Sequence, residues 1–368
     1  MLNDAAHTAG NEVRLALGLM SGTSLDGIDA ALLWTDGRTA VRTGAFLTVP
    51  YEDALRDALR STLGGKGPVV EVERAATRAH AGVVQRLLAR ENLGPADVAV
   101  IGFHGHTILH RPREGRTWQI GDGALLARLT GIDVVCDLRS NDVAHGGEGA
   151  PLVPLYHAAL CHELDGTVAI LNIGGVANLT WVGGHGEEPA AFDTGPGNAL
   201  IDEWVERWTG ERFDWNGALA SVGRVDAVRL GSLLDNPYFD APPPKSLDRI
   251  DFGLDALEGM TPADGAATLA AFTCASVARA VRFLPEAPSR WLVTGGGRRN
   301  PVLMAGLAEA LGVPVSPVEA VGWDGDAMEA QAFAYLAVRS LDGLPLTLPT
   351  TTGVSEPVTG GRYFPAAG

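Results

Sequence analysis

Residues Gly18–Asp29 read GLMSGTSLDGID and lie between two apolar runs, Val13–Leu17 and Ile28–Trp34. The stretch holds three glycines, three small hydroxyl residues and two carboxylates. Two strands joined by a tight glycine turn would present backbone N–H groups and hydroxyls at one tip, a shape suited to phosphate. An ordinary hairpin with a polar turn is the alternative, since glycine-rich turns are common.

The two carboxylates of this stretch, Asp26 and Asp29, would repel a bare phosphate. A metal ion removes the conflict, because Mg²⁺ takes carboxylate or water oxygens together with substrate phosphates. We therefore expect Asp26 and Asp29 to hold Mg²⁺, either directly or through water.

Composition and charge limit the class of protein and its partners. With 368 residues the chain is long enough for two domains, each with its own core. The net charge of −16 argues against electrostatic binding of nucleic acid or anionic lipid. No apolar run approaches the roughly 18 residues of a membrane span, and three widely spaced cysteines match no metal or redox motif. Residues 1–11 lack the segments of an export signal, so we expect a cytoplasmic protein without nucleic-acid or membrane partners.

Polar residues follow a short apolar strand predicted at Val98–Phe103. The four side chains are those of His104, His106, Thr107 and His110. Open α/β sheets hold their ligands at the carboxyl ends of the strands, which makes this group a candidate ligand site. A structural role is the alternative for any single histidine.

Arg139 stands in a similar place, after the predicted strand Ile132–Cys136 and between two aspartates. An arginine at such a position could clamp a carboxylate through two parallel hydrogen bonds. The alternative is a surface ion pair, which is commoner and contributes little to stability.

A second strand, glycine turn and strand occur at Asn172–Asn178, which reads NIGGVAN. The two hairpins share little sequence, but each opens a half of similar size, as in a duplicated α/β domain. Two such hairpins facing each other across a cleft could hold a nucleotide polyphosphate from both sides.

Asp193 lies in the segment FDTGPGN, at the predicted end of a strand and before a helix. The positive potential of a helix N-terminus would keep its carboxylate ionised, as a general base requires. A turn or N-cap aspartate is the alternative.

A third glycine-rich turn, TGGGRRN at Thr294–Asn300, joins a predicted strand to a helix. Three glycines there let a flat ring or a phosphate approach the backbone closely. The turn lacks the G-x-G-x-x-G spacing, and no G-x-x-x-x-G-K-[ST] loop occurs in the chain, so the two commonest nucleotide folds are disfavoured.

Two hairpin turns and one turn before a helix resemble the layout of the actin, hexokinase and heat-shock-70 ATPase superfamily. Within that superfamily, six motifs in order resemble those of the anhydro-N-acetylmuramic acid kinases. The motifs are GLMSGTSLDGID (18–29), FHGHTILH (103–110), GGEGAPLVP (146–154), NIGGVAN (172–178), FDTGPGN (192–198) and TGGGRRN (294–300).

The resemblance implies the fold class: two actin-like (ribonuclease H-like) α/β domains with mixed sheets flanking an ATP/sugar cleft. We expect domain I, with the first phosphate hairpin and part of the sugar site, at 12–145 plus about 325–368. Domain II, with the second phosphate turn, the catalytic aspartate and the adenosine loop, is expected at 146–324.

The resemblance also implies the reaction. ATP phosphorylates O6 of 1,6-anhydro-N-acetylmuramic acid while water opens the anhydro bridge at C1, which gives N-acetylmuramic acid 6-phosphate and ADP. The family serves peptidoglycan recycling and suggests a homodimer, and the implied cofactors are ATP and Mg²⁺.

Carried over motif by motif, the resemblance assigns roles to individual residues. Asp193 is implied as the catalytic base. The implied nucleotide contacts are Gly22, Thr23, Ser24, Leu25, Asp26, Gly27, Ile28, Asp29, Asn172, Gly174, Gly175, Gly295, Gly296, Gly297 and Asn300. The implied sugar contacts are His104, Thr107, Arg139 and Glu329, and we expect Arg139 to bind the lactyl carboxylate.

The chain departs from the family pattern at two positions, since we expect glutamine where His106 and Glu148 stand. A kinase for levoglucosan, a 1,6-anhydroglucose without lactyl or acetamido groups, would use the same phosphate turns and base. A non-catalytic nucleotide-binding regulator of the actin type is the alternative from another class, against which Asp193 speaks.

Overall fold

The computed structural model describes residues 12–22, 24–184, 186–247 and 252–366. The chain separates into two compact units. Unit 1 comprises Met1–His162 and Ala327–Gly368, and unit 2 comprises Glu163–Asp326. The sequence analysis placed the first boundary earlier, at 145/146. The segment up to His162 belongs to unit 1 because Tyr156 is buried in the core of that unit.

The strands are β1 (Arg14–Ser21), β2 (Gly27–Thr35), β3 (Val41–Pro50), β4 (Val100–Arg111), β5 (Arg116–Ile120), β6 (Val134–Cys136), β7 (Val168–Ile173), β8 (Val176–Val182), β9 (Ala190–Pro196), β10 (Arg290–Thr294), β11 (Val315–Pro317) and β12 (Arg362–Phe364). The α-helices are α1 (Asp53–Ser61), α2 (Val69–Glu91), α3 (Gly123–Thr130), α4 (Ser140–Ala144), α5 (Pro154–Leu160), α6 (Ala199–Thr209), α7 (Ala227–Leu234), α8 (Pro262–Ala280), α9 (Pro301–Leu311), α10 (Met328–Leu341) and α11 (Pro349–Thr352).

The two sheets share one strand arrangement. In unit 1, β1 pairs antiparallel with β2 and β2 with β3, while β1, β4 and β6 run parallel. In unit 2, β7 pairs antiparallel with β8 and β8 with β9, while β7, β10 and β11 run parallel. The prediction of two α/β domains with mixed sheets is confirmed, and the common strand order shows the repeat that sequence similarity left open.

The sheet of unit 1 is covered on both faces. Alternate residues of β1 face opposite sides, as the strand period of two requires. Leu17 and Leu19 belong to the core that α1, α2 and α3 cover, whereas Ala16 belongs to the core formed with α5 and α10. Strands buried on both faces are therefore almost wholly apolar, which explains why β1 reads as a continuous apolar run.

Helix α10 packs on the sheet at two glycines. Gly18 of β1 and Gly102 of β4 lie side by side in the register of the parallel pair. A Cβ atom on Gly18 would overlap the carbonyl oxygen of Ala330, and one on Gly102 would overlap that of Phe333. The missing side chains let the helix backbone touch the sheet, so Gly18 serves packing rather than phosphate binding.

Helix α8 corrects one expectation. The sequence analysis found no apolar run of membrane-spanning length, but Pro262–Phe283 is long and apolar enough by composition. Most of its apolar window is buried inside the protein. Its Leu269 and Phe272 side chains are almost fully inaccessible and belong to the core of unit 2. We therefore assign this segment as a core helix.

Strand β4 is longer than predicted and runs to Arg111 instead of ending at Phe103. Beyond Phe103 it pairs with β5, and Gly105 adopts a left-handed φ of 75° where a Cβ would press on the carbonyl of Ile120. The polar residues from His104 to His110 therefore lie within a strand, held by a pairing partner that the sequence pattern did not reveal.

The close approach of α10 predicts a large effect of Gly102→Ala. We expect this substitution to lower the free energy of unfolding by roughly 3 kcal/mol, the upper end of overpacking costs, because a backbone carbonyl cannot move aside as a side chain can. Urea unfolding of the purified protein measures this change.

Gly82→Ala is the matched control. Gly82 lies inside α2, where an added Cβ meets nothing within 4 Å. We expect it to raise stability by about 0.5–1 kcal/mol, as for Gly to Ala in a helix. Equal effects of the two substitutions would contradict the packing role of Gly102.

Candidate active site

The first hairpin in unit 1 presents its backbone rather than its larger side chains. The side chains of Leu25 and Ile28 are buried, with 5% and 2% of their surface exposed. Gly27 is required by packing, because a Cβ there would overlap the carbonyl of Val49. Gly22 is open, and Ser24 is exposed. Of the predicted nucleotide residues in this hairpin, Thr23 lies outside the described residues.

The two carboxylates of the hairpin differ in their surroundings. Asp26 is exposed, and Asp29 is half-buried, with its Oδ1 accepting a hydrogen bond of 2.6 Å from the hydroxyl of Thr48. Within the described residues, no three acidic, histidine or cysteine side chains form a metal cage. Two carboxylates without a cage fit Mg²⁺, which keeps several waters and is held by one or two carboxylates plus phosphates.

Arg139, which is half-buried, and His104, which is buried, form one polar group. The Nε and Nη2 groups of Arg139 donate to Nε2 of His104 at 3.2 and 3.1 Å. His104 Nδ1 lies 3.0 Å from the carbonyl oxygen of Gly105, so it carries the proton of a neutral ring. Burial, followed by the positive charge of Arg139, holds the pKa of His104 well below its usual range.

Asp142 of the short helix α4 completes this group. Its Oδ1 accepts 2.6 Å from the N–H of Gly149, and its Oδ2 accepts 2.6 Å from the hydroxyl of Thr352. The carbonyl of Gly149 in turn accepts 2.7 Å from Nη1 of Arg139. The buried carboxylate therefore fixes the loop that carries a hydrogen-bond acceptor for Arg139.

Glu329 and Thr107 lie in the same unit. Glu329 lies in the first turn of α10 and reaches solvent. The surrounding protein desolvates its carboxyl and raises its pKa; the charge of Arg139 lowers this pKa, and the charge of Asp29 raises it further. Thr107 is half-buried and accepts 3.2 Å from the side-chain amide of Gln119. Three predicted sugar residues, His104, Arg139 and Glu329, thus interact directly or electrostatically.

Asp193 in unit 2 lies within β9, not at its end. Its Oδ2 accepts 2.8 Å from the N–H of Leu247, and its backbone N–H donates to the carbonyl of Lys245 at 3.1 Å. The hydroxyl of Tyr238 donates 2.6 Å to its carbonyl oxygen. The segment 238–247 therefore orients the carboxylate.

The second glycine turn contacts the start of α6. The backbone N–H groups of Asn198 and Ala199 donate to the carbonyls of Gly174 and Gly175 at 2.7 and 3.2 Å. The side-chain amide of Asn198 donates 3.0 Å to the carbonyl of Ile173. The N-terminal N–H groups of α6 thus hold the turn in place.

The three glycines of the third turn have different roles. A Cβ on Gly295 or Gly297 would overlap atoms at the end of β7, Asn172 or Ile173, whereas Gly296 is exposed and meets only Asn198 at 3.6 Å. Gly296 is therefore the glycine of this turn that leaves room for a ligand.

Asn300 and Arg298 stabilise the third turn. The side-chain oxygen of Asn300 accepts from the N–H groups of Val302 and Leu303 and caps α9. Arg298, buried, donates 2.9 Å to the carbonyl of Gly295 and pairs with Glu319 and Asp326.

Sequence reasoning missed the roles of Asp142, Arg298 and Tyr238. Arg298 stood in a quoted motif and Asp142 beside Arg139, so both positions carried a signal. Their roles depend on tertiary contacts, such as that of Asp142 with Thr352, which spacing does not reveal.

Buried histidines predict an acid-labile unit 1. Burial lowers the pKa of His80 and His106 to about 4, and the pKa of His157 falls for the same reason. An unfolded histidine has a pKa of about 6.5, so the unfolded state binds more protons below that pH. The contribution of these neutral histidines to the free energy of unfolding is therefore fully present above pH 6.5 and is lost as the pH falls. For His80 alone, the free energy of unfolding falls by up to ~1.4 kcal/mol per pH unit.

Urea unfolding between pH 7.5 and 5 measures this slope. We expect His80→Gln to flatten it, while His145→Gln, at an exposed position, leaves it unchanged. An unaltered slope in His80→Gln would show that this residue does not titrate as inferred.

Comparison with known proteins places the chain in a family. The model of the family described as anhydro-N-acetylmuramic acid kinase matches residues 14–366. The chain is 58% identical over 352 residues to the protein of that name from Paramagnetospirillum magneticum, covering 95% of this chain and 99% of the relative. It is 56% identical to the protein of the same name from Rhodospirillum rubrum, and the match covers 96% of this chain and 94% of that relative.

Among solved structures, a ROK family glucokinase from Streptomyces griseus in complex with glucose and AMPPNP is similar at a TM-score of 0.40 and 15% identity, covering 88% of this chain and 99% of that one. A similarity of this size carries no argument about function. The match of the family model and the high identity of the two relatives are decisive. The chain belongs to the anhydro-N-acetylmuramic acid kinase family.

Proposed function

We propose that this protein uses ATP and water to convert 1,6-anhydro-N-acetylmuramic acid into N-acetylmuramic acid 6-phosphate and ADP, in the recycling of peptidoglycan. The observation that carries the proposal is the identity of 58% to an anhydro-N-acetylmuramic acid kinase across nearly the whole of both chains. The oriented carboxylate of Asp193 and the three glycine turns agree with it.

Unit 1 supplies the residues for the sugar: His104, Thr107, Arg139 and Glu329. The Nε–Nη2 edge of Arg139 is occupied by His104. A lactyl carboxylate would therefore use the remaining N–H groups of Nη1 and Nη2, which still form a pair of donors. His104 fixes the direction of that pair.

Asp193 is the proposed general base. A water oxygen bonds to C1 of the sugar as the bond between C1 and O6 breaks, and Asp193 accepts the proton that the water loses. O6 then takes the γ-phosphoryl group of ATP, and ADP leaves. The N–H of Leu247 donates to Oδ2 of Asp193 and so orients the carboxylate.

The glycine turns are the proposed nucleotide contacts. The hairpin Gly22–Asp29 and the turn with Asn172, Gly174 and Gly175 would donate backbone N–H groups to the phosphates. Gly295–Gly297 and Asn300 would hold the adenosine, with Gly296 as the open position. Phosphoryl transfer depends mainly on such positioning and on neutralising charge.

Asp26 and Asp29 would hold Mg²⁺, directly or through water. When bound, this ion neutralises the negative charge that develops on the phosphate oxygens. Loss of activity on addition of EDTA, and its return with MgCl₂, would support the assignment.

We also propose that the protein is a cytoplasmic homodimer. Light scattering would measure the mass of the particle in solution and so test the dimer.

The experiment that tests the function measures ADP formation with each of two sugars. We expect ADP to form with 1,6-anhydro-N-acetylmuramic acid and not with levoglucosan. Activity with levoglucosan alone would assign the chain to the other substrate, and no activity with either sugar would contradict the proposal.

Asp193→Asn removes the proposed base while retaining its shape. We expect kcat to fall by about 10²–10⁴-fold, the usual contribution of general base catalysis, with the KM for ATP nearly unchanged. Coupled measurement of ADP release tests this. Full activity in the variant would exclude Asp193 as the base.

Arg139→Lys tests the lactyl carboxylate site. Lysine keeps the positive charge but lacks the planar pair of donors. We expect the KM for the anhydromuramic substrate to rise about tenfold, since a charged hydrogen bond contributes about 1.5–3 kcal/mol, while the KM for ATP stays the same. An unchanged KM for the sugar would show that Arg139 does not bind the lactyl carboxylate.

A further inference from the structure

The tip of the first hairpin holds a non-glycine residue in an unfavourable backbone conformation. Leu25 has a φ of 60°, in the left-handed region that leucine rarely adopts. Its N–H donates 3.1 Å to the carbonyl of Gly22, and its side chain is buried. Such strain persists only where the surrounding structure fixes it, and it is often found at functional sites.

Arg56 of α1 holds the carbonyl of this strained residue. Its Nε donates to the carbonyl oxygen of Leu25 at 3.2 Å, and its Nη2 donates to that of Tyr51 at 2.9 Å. Its Nη1 pairs with Asp53 at 2.7 Å. All three guanidinium nitrogens are engaged, so the side chain joins the hairpin tip to the start of α1.

Tyr51 contacts both ends of the hairpin turn. Its backbone N–H donates 3.2 Å to the carbonyl of Asp26, and its hydroxyl lies 2.6 Å from Oγ of Ser21, at the end of β1. Ser21 is buried and also lies 3.0 Å from Nδ1 of His106 on β4. The ring nitrogen Nε2 of His106 has no hydrogen-bond partner among the described residues.

We propose that Arg56 and Tyr51 are positioning residues for ATP, because they fix the hairpin tip in the conformation that meets the phosphates. The proposal rests on the function proposed above, in which Gly22–Asp29 binds the nucleotide. Neither side chain touches the phosphates. Arg56 acts by holding the carbonyl of Leu25, and the Tyr51 side chain acts through its hydroxyl beside Ser21 at the end of β1. Together these contacts fix the direction of the backbone N–H groups at the tip.

The chain contains a matched control for Arg56. Arg60 lies one turn further along α1 and pairs with Asp57 at 2.8 Å, with the same spacing of three residues as Arg56 and Asp53. Arg60 has no hydrogen bond to the hairpin among those described. Arg56→Ala and Arg60→Ala therefore remove the same charge and the same kind of helix pair, and they differ in the hairpin contact.

The test measures ATP affinity by calorimetry with MgCl₂ and without sugar. We expect Arg56→Ala to raise the Kd for ATP about tenfold, the effect of losing a charged hydrogen bond. We expect Arg60→Ala to stay within about twofold of the wild type. In steady-state assays the KM for ATP should rise in Arg56→Ala, while the KM for the anhydrosugar stays unchanged, a split that general unfolding would not produce.

Tyr51→Phe provides a second measurement that keeps the aromatic ring and the backbone N–H. It removes only the hydroxyl beside Ser21, and we expect the Kd for ATP to rise about threefold to tenfold. Wild-type ATP affinity in both Arg56→Ala and Tyr51→Phe, or equal losses in Arg56→Ala and Arg60→Ala, would overturn the proposal.

These measurements separate this inference from the proposed function. A wild-type protein that binds ATP but phosphorylates neither sugar would contradict the function alone, because the affinities of the variants would still test the hairpin contacts. A wild-type protein that bound no ATP would overturn both.

Discussion

The contact of α10 with the sheet is the constraint on which unit 1 depends. Glycine at positions 18 and 102 lets the helix backbone rest on β1 and β4. This contact sets the height and direction of the first helical turn, where Glu329 lies within the electrostatic reach of Arg139 and Asp29. It also fixes β1, whose last residue leads into the phosphate hairpin. A packing requirement thus positions residues of both proposed substrate sites.

Buried polar groups around this core are held by specific partners. Arg139, which is expensive to bury, donates to His104 and Gly149, and Asp142 holds the loop that carries Gly149. In unit 2, Arg298 holds the glycine turn in a similar way. Leaving such a group unpaired costs about 1–3 kcal/mol or more, so each network favours one arrangement of its loop. Sites built in this way are preorganised before any ligand arrives.

The fold could be predicted from periodic patterns, and the details of the site could not. Some ends of helices carry a local signal: Asp122, a residue type that favours the N-cap position, accepts 2.9 Å from the N–H of Leu125 at the start of α3. The extension of β4 depends on pairing with the neighbouring strand β5, and the last strand, β12, depends on pairing with the distant strand β6. Neither pairing was visible in the apolar pattern. Gly27 and Gly297 were predicted as nucleotide contacts, and the structure shows in addition that packing requires glycine at both positions. The roles predicted for Asp193, Arg139 and the glycine turns stay predictions.

The position of α10 in the chain has a consequence for protein synthesis. Unit 2 is one continuous segment, Glu163–Asp326, inserted before α10, α11 and β12 of unit 1. During translation all strands of unit 2 leave the ribosome while the glycine-lined face of the unit 1 sheet is still uncovered. Until Leu341 emerges, the part of this face that α10 covers has no helix packed on it. Unit 1 is the first to be synthesised, but its core can be completed only after the whole of unit 2 has left the ribosome. Chaperones can act during the time between these two events.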